Sequence, residues 1–526
     1  MAQVEARTVL WYMTFMGFIV NYMIRINLNI TIVDMIVGKG AISSNLTENS
    51  TLENSTKLNE RFSLERWFLD WASIPYDRDG FNWNEKQQGA LLGSFFWAHW
   101  TLQIPGGILA TKYGTKLVFG WSNGIGVFCC FLIPIVSYWS YTGLIVLRVF
   151  QGWITGLAWP SMHVLTAKWI PPNERSKFVS AYLGSSVGVA LFYPIFGYII
   201  DWTRWEWVYY ICGIVGTLWF IAWQFLVFDT PAQHPRIADS ERKYIEKSLG
   251  ASVQSAKGPT PWKAIATSRP VWLNVVAQWG GIWGLFTLMT HAPTYFSKIH
   301  HWNIRATGFL SGLPHLMRMI FAYVFSTFAD YLLRTDRLSR TNVRKLATFI
   351  CCGVKGFLIL ALAYFGYNAT AAIVLVTVAT MFHGAVSSGP LASMVDLSPN
   401  YAGIVLGVSG MIGGMPGFIS PLIVGQLTYQ NQTIEAWKNV FLLSSFMLTG
   451  SGILYVLFSE STLQPWNSGC HQLPESGLKE LQNLGSNKED EEEEKKPLKA
   501  DQDDQYTETH SVAERETKSK SDGDEK

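Results

Sequence analysis

Residues 9–37 read VLWYMTFMGFIVNYMIRINLNITIVDMIV, a largely apolar run that carries a single arginine, Arg25, near its middle. Crossing the hydrocarbon core of a bilayer as an α-helix takes about 20 mostly apolar residues, so this run is long enough to span a membrane. A charged side chain at that depth is costly and is a candidate for function by default. The stretch therefore predicts a membrane-spanning helix that carries a polar site.

Comparable apolar runs recur along the whole chain, of which 49% is hydrophobic and only 15% charged. The runs are apolar nearly all round, as a helix surrounded by lipid and other helices must be. The sequence therefore predicts an all-α membrane protein with twelve transmembrane helices. The predicted spans are 9–37, 87–111, 117–136, 140–168, 178–201, 207–228, 271–296, 306–330, 344–367, 371–396, 400–428 and 436–458.

Polar stretches divide the chain into domains. A long polar loop covers residues 38–86, and a charged, proline-containing linker covers residues 229–270. The linker separates a first set of six spans, within 1–228, from a second set within 271–458. Residues 459–526 are polar and highly charged, so we expect a disordered cytosolic tail.

Two signals predict the orientation in the membrane. Asn-X-Ser/Thr sequons at Asn45, Asn49 and Asn54 cluster in the first loop, and glycosylation requires the lumenal or extracellular side. Basic residues crowd the central linker and the loop after the eighth span, as cytosolic loops do. We therefore expect a glycosylated loop 38–86 and cytosolic termini.

Two intramembrane arginines are the main candidates for a site. Arg25 shares one face of its helix with Thr14, Asn21 and Asn29, and arginine is the preferred fork-shaped binder of carboxylate and phosphate. The alternative is a structural pairing with carbonyls or an acid. Arg148 lies in the fourth span, and its alternative role is that of an interfacial arginine reaching out to the membrane surface.

Other polar residues within the spans form a second group of candidates. His99 shares a helix face with Gln103, and His383 shares one with Ser387, so these histidines are the better cavity candidates. Arg318 follows His315 by about one turn in the eighth span. Lys355 lies in the ninth span. We favour a structural role for it, in which its ammonium group reaches the membrane surface or pairs with an acidic residue.

The acidic residues lie elsewhere. Asp34, Asp201, Asp330 and Asp396 are all near predicted span ends, and no carboxylate is near the middle of a span. The membrane interior thus has several cations and few anions to balance them, which a transported anion could supply. The net charge of +2 does not indicate the strongly basic surface that nucleic-acid-binding proteins have. Neither soluble region has a nucleophile elbow, a P-loop or a zinc motif, so we expect no enzyme activity, cofactor or metal.

Several motifs resemble those of one transporter family. In the family's order along residues 9–466, the matching runs are Arg25-Ile-Asn-Leu-Asn-Ile-Thr-Ile-Val-Asp-Met, Gly93-Ser-Phe-Phe-Trp, Gln103-Ile-Pro-Gly-Gly, Arg148-Val-Phe-Gln-Gly, Lys168-Trp-Ile-Pro-Pro-Asn-Glu-Arg-Ser, Pro314-His-Leu and Gln464-Pro-Trp. The chain resembles the anion-transporting solute carrier family 17 of the major facilitator superfamily. That family includes sodium/phosphate cotransporters, sialin and vesicular glutamate transporters, and we identify the chain as an inorganic phosphate cotransporter-like member.

The resemblance implies two six-helix bundles around a central site that opens alternately to each side. It places Arg25 and Arg148 at the family's two substrate-site arginines. Sialin and the glutamate transporters have a glutamate, linked to proton coupling, where this chain has Thr155. The glutamate transporters also have an arginine near the position of Gly281 and a histidine at that of Leu92, so their site is not expected to be copied here.

These observations predict a secondary active transporter, a symporter, of small anions: inorganic phosphate or an organic carboxylate, coupled to sodium or protons. The expected substrate-binding residues are Arg25, Arg148, His99, His383 and Arg318. The expected location is the plasma membrane or an endolysosomal or vesicular membrane. The alternative is a transport-inactive receptor or sensor on a transporter scaffold.

Overall fold

The computed structural model describes residues 5–36, 80–171, 174, 178, 180–250 and 260–468 of the 526-residue chain. The predicted glycosylation sites Asn45, Asn49 and Asn54 lie outside these residues. So does the tail beyond residue 468.

Twelve helical segments occupy the positions of the twelve predicted spans in the described part of the chain. Six of them are single α-helices. These are span 1 at Ala6–Ile36, span 3 at Thr115–Trp139, span 6 at Trp205–Leu226, span 7 at Arg269–His300, span 8 at Ile304–Arg334 and span 12 at Ile434–Phe458.

The other six spans are interrupted. In the first set, span 2 is Glu85–Trp97, a 3₁₀ turn His99–Leu102 and Gln103–Tyr113; span 4 is Tyr141–Thr155 and Ala158–Trp169; span 5 is a 3₁₀ turn Ser180–Leu183 and Gly184–Trp202. In the second set, span 9 is Arg340–Thr348, a π-helix Phe349–Val354 and Lys355–Phe365; span 10 is Ala369–Phe382, a 3₁₀ turn His383–Ser387 and Pro390–Leu397; span 11 is Ala402–Gly413 and Pro416–Leu427.

The interruptions in spans 2 and 4 face each other, a feature that apolarity alone does not indicate. A Cβ placed on Gly156 would approach the carbonyl oxygen of His99 to 2.5 Å, so the two backbones are nearly in contact. Because Gly156 has no side chain and His99 meets it with a backbone carbonyl, the two spans can touch where both helices break.

Nine of the described helical segments are long and apolar enough to cross a membrane by length and composition. Spans 2, 4 and 7 are not among these nine. Span 7 is long but more polar, with Asn274, Gln278 and His291 along it. Outside the spans are two short helices of the predicted linker, Asp239–Gly250 and Trp262–Thr267, and 3₁₀ turns at Pro231–Gln233, Pro399–Tyr401 and Pro465–Ser468.

The buried apolar residues follow the two sets of six spans. The largest cluster draws almost all its members from residues 6–245, with Phe286 and Met289 of span 7 added. Three smaller clusters draw theirs from residues 265–448. Each set of six therefore buries its own apolar surface, and a polar site can form between them.

The two sets meet most closely at one end of the molecule. Span 5 packs along span 8, and span 2 along span 11. A Cβ on Gly197 would lie 2.9 Å from the Ile304 carbonyl oxygen, and one on Gly93 would lie 3.1 Å from that of Phe418. Arg305 and Asp201 join spans 8 and 5 at this end through an ion pair of 2.5 Å.

The opposite end is looser. In the first helix of span 11, a Cβ on Gly407 would find its nearest neighbour, Ile104, at 3.9 Å, and one on Gly403 would find no atom within 4 Å. Spans 2 and 11 thus diverge from the end near Gly93 toward the end near Gly403. The described spans are therefore packed closely at the end near Met35 and Phe81 and are more open at the end near Gly403.

Candidate functional site

Arg25 lies in the middle of span 1 and is 5% exposed. Its one direct hydrogen bond is long, from Nη2 to the Asn21 side-chain oxygen at 3.5 Å, and its Nε has no partner among the described residues. The guanidinium lies over the Tyr22 ring at 4.5 Å from the centroid. A ligand could therefore bind this cation without displacing a strong protein partner.

Arg148 is 1% exposed, which excludes the alternative of an interfacial arginine that reaches out to the membrane surface. Its Nη1 donates to Gln151 Oε1 at 2.7 Å and, at longer range, to the Ile24 carbonyl and to Asn27 Oδ1 at 3.3 and 3.4 Å. All these partners are neutral. Arg148 is thus oriented by hydrogen bonds while its charge remains unbalanced by the groups it bonds to.

The structure brings the two arginines together. Arg148 Nη2 lies 3.5 Å from the Arg25 carbonyl oxygen. Both guanidinium groups lie near the ring of Phe95 in span 2, at 5.6 Å for Arg25 and 5.0 Å for Arg148. The aromatic ring stabilises two like charges close together through its π-face, as cation–π contacts do.

His99 lies beside this pair at the break in span 2. Its Nδ1 is 2.9 Å from the Gly152 carbonyl oxygen, which joins span 2 to span 4. Its Nε2 is 3.3 Å from the Gln103 side-chain nitrogen, so the shared face that the sequence predicts is present. The centroid of its ring lies 5.7 Å from that of Phe95, the ring that both arginines approach. His99 can orient a ligand at the arginines while fixing the contact between the spans.

Thr155 is the last helical residue before the break in span 4 and is fully buried. Its hydroxyl donates within its own helix, to the carbonyl oxygens of Gln151 and Gly152 at 2.9 and 3.1 Å. The hydroxyl makes no contact with either arginine. This position therefore supplies no ionisable group to the site.

The second set of spans contributes a separate cationic cluster, which we define as Arg318, Lys355, His315 and His383. These side chains lie within electrostatic range of one another. Arg318 is partly buried and donates from Nη1 to Ser186 Oγ of span 5 at 3.3 Å. The structure does not pair His383 with Ser387, whose hydroxyl bonds instead to the Gly384 carbonyl.

The position of the Lys355 side chain contradicts the structural role that the sequence favours. Its side chain is fully buried, so it does not reach the membrane surface. Its Nζ has no hydrogen-bond partner among the described residues, so it does not pair with an acid there. Packing of spans 7, 9, 10 and 12 around the π-helix encloses it, an arrangement that hydropathy does not reveal.

Ion pairs among the described residues lie at the ends of the spans and in the linker. The ion pairs there join Arg7 with Glu5, Glu174 and Glu241, Arg204 with Glu206, Arg242 with Glu246, Arg305 with Asp201 and Arg344 with Asp396. None of these described pairs includes Arg25, Arg148, Arg318 or Lys355. The interior of the molecule therefore holds four basic side chains with no ion-paired acid in the part of the chain that the structure covers.

Sequence reasoning did not single out the neutral residues that hold the arginines. Gln151 binds Arg148 and, through Nε2, the Gly126 carbonyl at 2.7 Å. Asn27 binds Arg148, while Tyr22 and Phe95 supply the rings. The sequence did point to two of these residues, because they belong to runs that carry the family resemblance. Gln151 is in Arg148-Val-Phe-Gln-Gly, and Asn27 is in Arg25-Ile-Asn.

The fold and this polar interior are those of a membrane transporter class. A sequence model of the Major Facilitator Superfamily matches residues 10–421. A bacterial homologue of the human lysosomal transporter Spinster, inward-facing and unoccupied, superposes with a TM-score of 0.57 at 13% identity over 87% of this chain and 97% of its own. The inward-open xylose transporter XylE of E. coli gives 0.55 at 11% identity over 84% and 94%. The chain belongs to the major facilitator superfamily.

Curated relatives narrow the family. Human sialin is 33% identical over 471 residues, which cover 89% of this chain and 92% of sialin. Human vesicular glutamate transporter 2 is 32% identical over 465 residues, 88% of this chain and 75% of that protein. Vesicular glutamate transporter 1 of Xenopus laevis is 33% identical over 88% and 76%. Within the superfamily the chain is a member of solute carrier family 17, and it is a multi-pass membrane protein.

Proposed function

We propose that the chain is a secondary active transporter, a symporter, of small anions, either inorganic phosphate or an organic carboxylate. One observation carries the proposal: Arg25 and Arg148 are almost completely buried next to each other, and their bonding partners are neutral. Leaving such charges unbalanced in a low-dielectric interior is costly. An anion that enters the cavity supplies the missing charge.

The two arginines have different roles in binding the anion. Arg148 is oriented by Gln151 and Asn27 and presents a fixed fork for bidentate binding of a carboxylate or phosphate. Within the part of the chain that the structure covers, the Arg25 side chain has a single, long hydrogen bond, so it can turn toward the bound anion. His99, His383 and Arg318 contribute further donors from both sets of spans. Binding neutralises the interior and lowers the cost of closing the open side, which is the basis of alternating access.

Coupling uses sodium or a proton at a residue other than Thr155. Thr155 has no ionisable group, and its hydroxyl is already bonded within its own helix. Proton coupling by an acid at this position is therefore not part of the proposed mechanism.

The proposed placement in the cell follows from the sequence signals. The domains are the bundles 1–228 and 271–458, separated by a cytosolic linker 229–270, with both termini cytosolic and loop 38–86 glycosylated at Asn45, Asn49 and Asn54. The relatives' names include vesicular transporters. We therefore place the chain in a plasma, endolysosomal or vesicular membrane.

Removing either arginine tests the site. Arg25→Gln and Arg148→Gln in full-length protein reconstituted into liposomes should each lower the uptake of radiolabelled phosphate or carboxylates by at least about thirtyfold. Losing one partner of a buried charged contact costs about 2–5 kcal/mol, and each 1.4 kcal/mol is tenfold. Arg242→Gln, a change at a half-exposed arginine of the linker helix, is the control and should leave uptake unchanged.

Uptake at the wild-type level in both arginine variants would reject this site. Saturable anion binding by the wild type without any flux, under imposed sodium, proton and potential gradients, would instead favour the transport-inactive receptor.

A further inference from the structure

We infer that Lys355 and Arg318, with His315 and His383, form a second anion subsite, so that the carried solute has two separated anionic groups. One group binds at Arg25 and Arg148, and the other at Lys355 and Arg318. The inference rests on the proposed anion transport and specifies its substrate class.

Lys355 provides the first observation. Its side chain is fully buried and its Nζ lacks a hydrogen-bond partner within the described residues. A buried ammonium that has lost its hydration needs compensation from an anion or several acceptors. The π-helix that ends at Val354 widens span 9 directly before this residue, and such segments are frequent at functional sites.

Arg318 provides the second observation, because it ties the cluster to the other set of spans. Its Nη1 donates to Ser186 Oγ of span 5 at 3.3 Å, and it lies within electrostatic range of Tyr22 of span 1. Tyr22 is also the ring under the Arg25 guanidinium, at 4.5 Å. The Tyr22 side chain is therefore near both cationic groups, whose members come from different sets of spans.

The histidines indicate that the two groups are distinct. His99 feels the charge of Arg25, whereas His315 and His383 feel those of Arg318 and Lys355. Two cationic groups on different sets of spans match a solute whose anionic groups are apart, such as a dicarboxylate, better than a compact ion such as phosphate.

Span 7 has no side chain at its closest point to the cluster. Span 7 presents Gly281 here, and a Cβ at that position would meet only Cys352 Sγ and His383 Nε2, each at 3.6 Å. The thiols of Cys351 and Cys352 also lie within electrostatic range of Lys355. No carboxylate is paired with either cation in the described part of the chain.

Matched probes test the inference in liposomes containing the full-length protein. Glutarate and valerate have the same number of carbon atoms but two and one carboxylates, and inorganic phosphate is the compact alternative. The wild type should take up glutarate at least about tenfold more efficiently than valerate, the gain expected from a second charged hydrogen bond. Lys355→Met should remove most of this preference by raising the KM for glutarate, while Lys355→Arg should retain it.

Cys352→Ala is the control for a purely local role of Lys355. If the lysine acted only by interacting with the neighbouring thiol, this variant would reproduce the effect of Lys355→Met, and the second subsite would be rejected. Thermal stabilisation of purified wild-type protein by glutarate, compared with valerate, gives the same selectivity without any variant. Stabilisation by glutarate alone supports the subsite, and equal stabilisation by both rejects it.

The remaining outcomes separate this inference from the proposed function. Equal uptake of glutarate and valerate, equal loss of both in Lys355→Met, or a tenfold preference for phosphate over glutarate would overturn the second subsite while leaving anion transport intact. Absence of flux for all three probes, or wild-type uptake in Arg25→Gln and Arg148→Gln, would reject the transport proposal itself.

Discussion

Arg148 and Lys355 are both fully buried cations, but their hydrogen-bonding environments differ. Arg148 has neutral hydrogen-bond acceptors around its guanidinium, whereas the Lys355 ammonium has none among the described residues. Hydrogen bonds orient Arg148 before a ligand arrives, so its contribution to binding carries little ordering cost. Lys355 lacks that support and depends more on a bound anion.

Gln151 is the residue that fixes Arg148, and replacing it tests this orientation. Gln151→Leu keeps a similar volume but loses the 2.7 Å bonds to Arg148 and to the Gly126 carbonyl. A hydrogen bond to a charged group contributes about 1.5–3 kcal/mol, so the KM for the transported anion should rise about tenfold or more. Concentration-dependent uptake in liposomes measures this.

Gln88→Leu is the matched control. Gln88 donates to the Trp83 carbonyl at 2.8 Å, near the start of span 2 and away from the arginines. That variant also loses a hydrogen bond to a carbonyl, but it should keep the wild-type KM. The same KM change in both variants would show that Gln151 has no special role at Arg148.

At the scale of the elements, four of the candidate polar residues lie where helices are irregular. His99 starts the 3₁₀ turn of span 2, Thr155 precedes the break in span 4, Lys355 follows the π-helix, and His383 starts the 3₁₀ turn of span 10. Non-helical backbone within a membrane is tolerated only where protein or a cavity surrounds it. The irregularities thus mark the interior region where a hydrated ligand can be accommodated.

The contact between the broken spans 2 and 4 depends on Gly152. A Cβ there would lie 2.9 Å from Phe95 Cα and still closer to the Phe95 carbonyl oxygen. Gly152→Ala should therefore destabilise the protein by about 1–3 kcal/mol or more, as overpacking does. It should also reduce uptake, because Phe95 lies under both arginines. Thermal melting in detergent and liposome uptake measure the two effects.

Gly403→Ala provides the opposite case. No atom lies within 4 Å of a Cβ at Gly403, which is in the first turn of its helix. Alanine there should leave the melting temperature unchanged or slightly raised. A Gly152→Ala protein as stable as Gly403→Ala would contradict the close approach of spans 2 and 4.

At the scale of the molecule, the two sets of spans are tightly packed at one end and diverge at the other. With the orientation we propose, the closed end faces the lumen or the exterior, and the open end faces the cytosol. Alternating access then requires the contacts between spans 2 and 11, and between spans 5 and 8, to separate during each cycle. The Arg305–Asp201 ion pair is one of the contacts that must break.

A cross-link at the closed end should stop this cycle. A Cβ on Gly93 would lie 3.6 Å from Phe418 Cβ, within the spacing of about 3.5–4.5 Å that a disulfide requires. The double variant Gly93→Cys and Phe418→Cys should lose uptake when oxidised and regain it when reduced. Each single-cysteine variant is a control that should not respond to oxidant. Unchanged uptake in a fully cross-linked protein would show that this end does not open during transport.

Much of the fold could be predicted from the sequence because hydropathy is a local property. The twelve segments were located within several residues, and Arg25 and Arg148 were identified because a charge in an apolar run is visible without knowledge of neighbours. The breaks in spans 2 and 4 were not predicted, since they depend on glycines that touch a backbone from another span.

The sequence by itself determined that the chain is helical, spans a membrane and holds basic residues away from acids, because composition along each run decides these properties. The tertiary structure decided which residues share a site: the Phe95 ring beneath both arginines, the Gln151 hydrogen bonds, and the grouping of Lys355 with Arg318, His315 and His383. These contacts join spans that are far apart along the chain. Only the packing of helices against each other brings their side chains within reach.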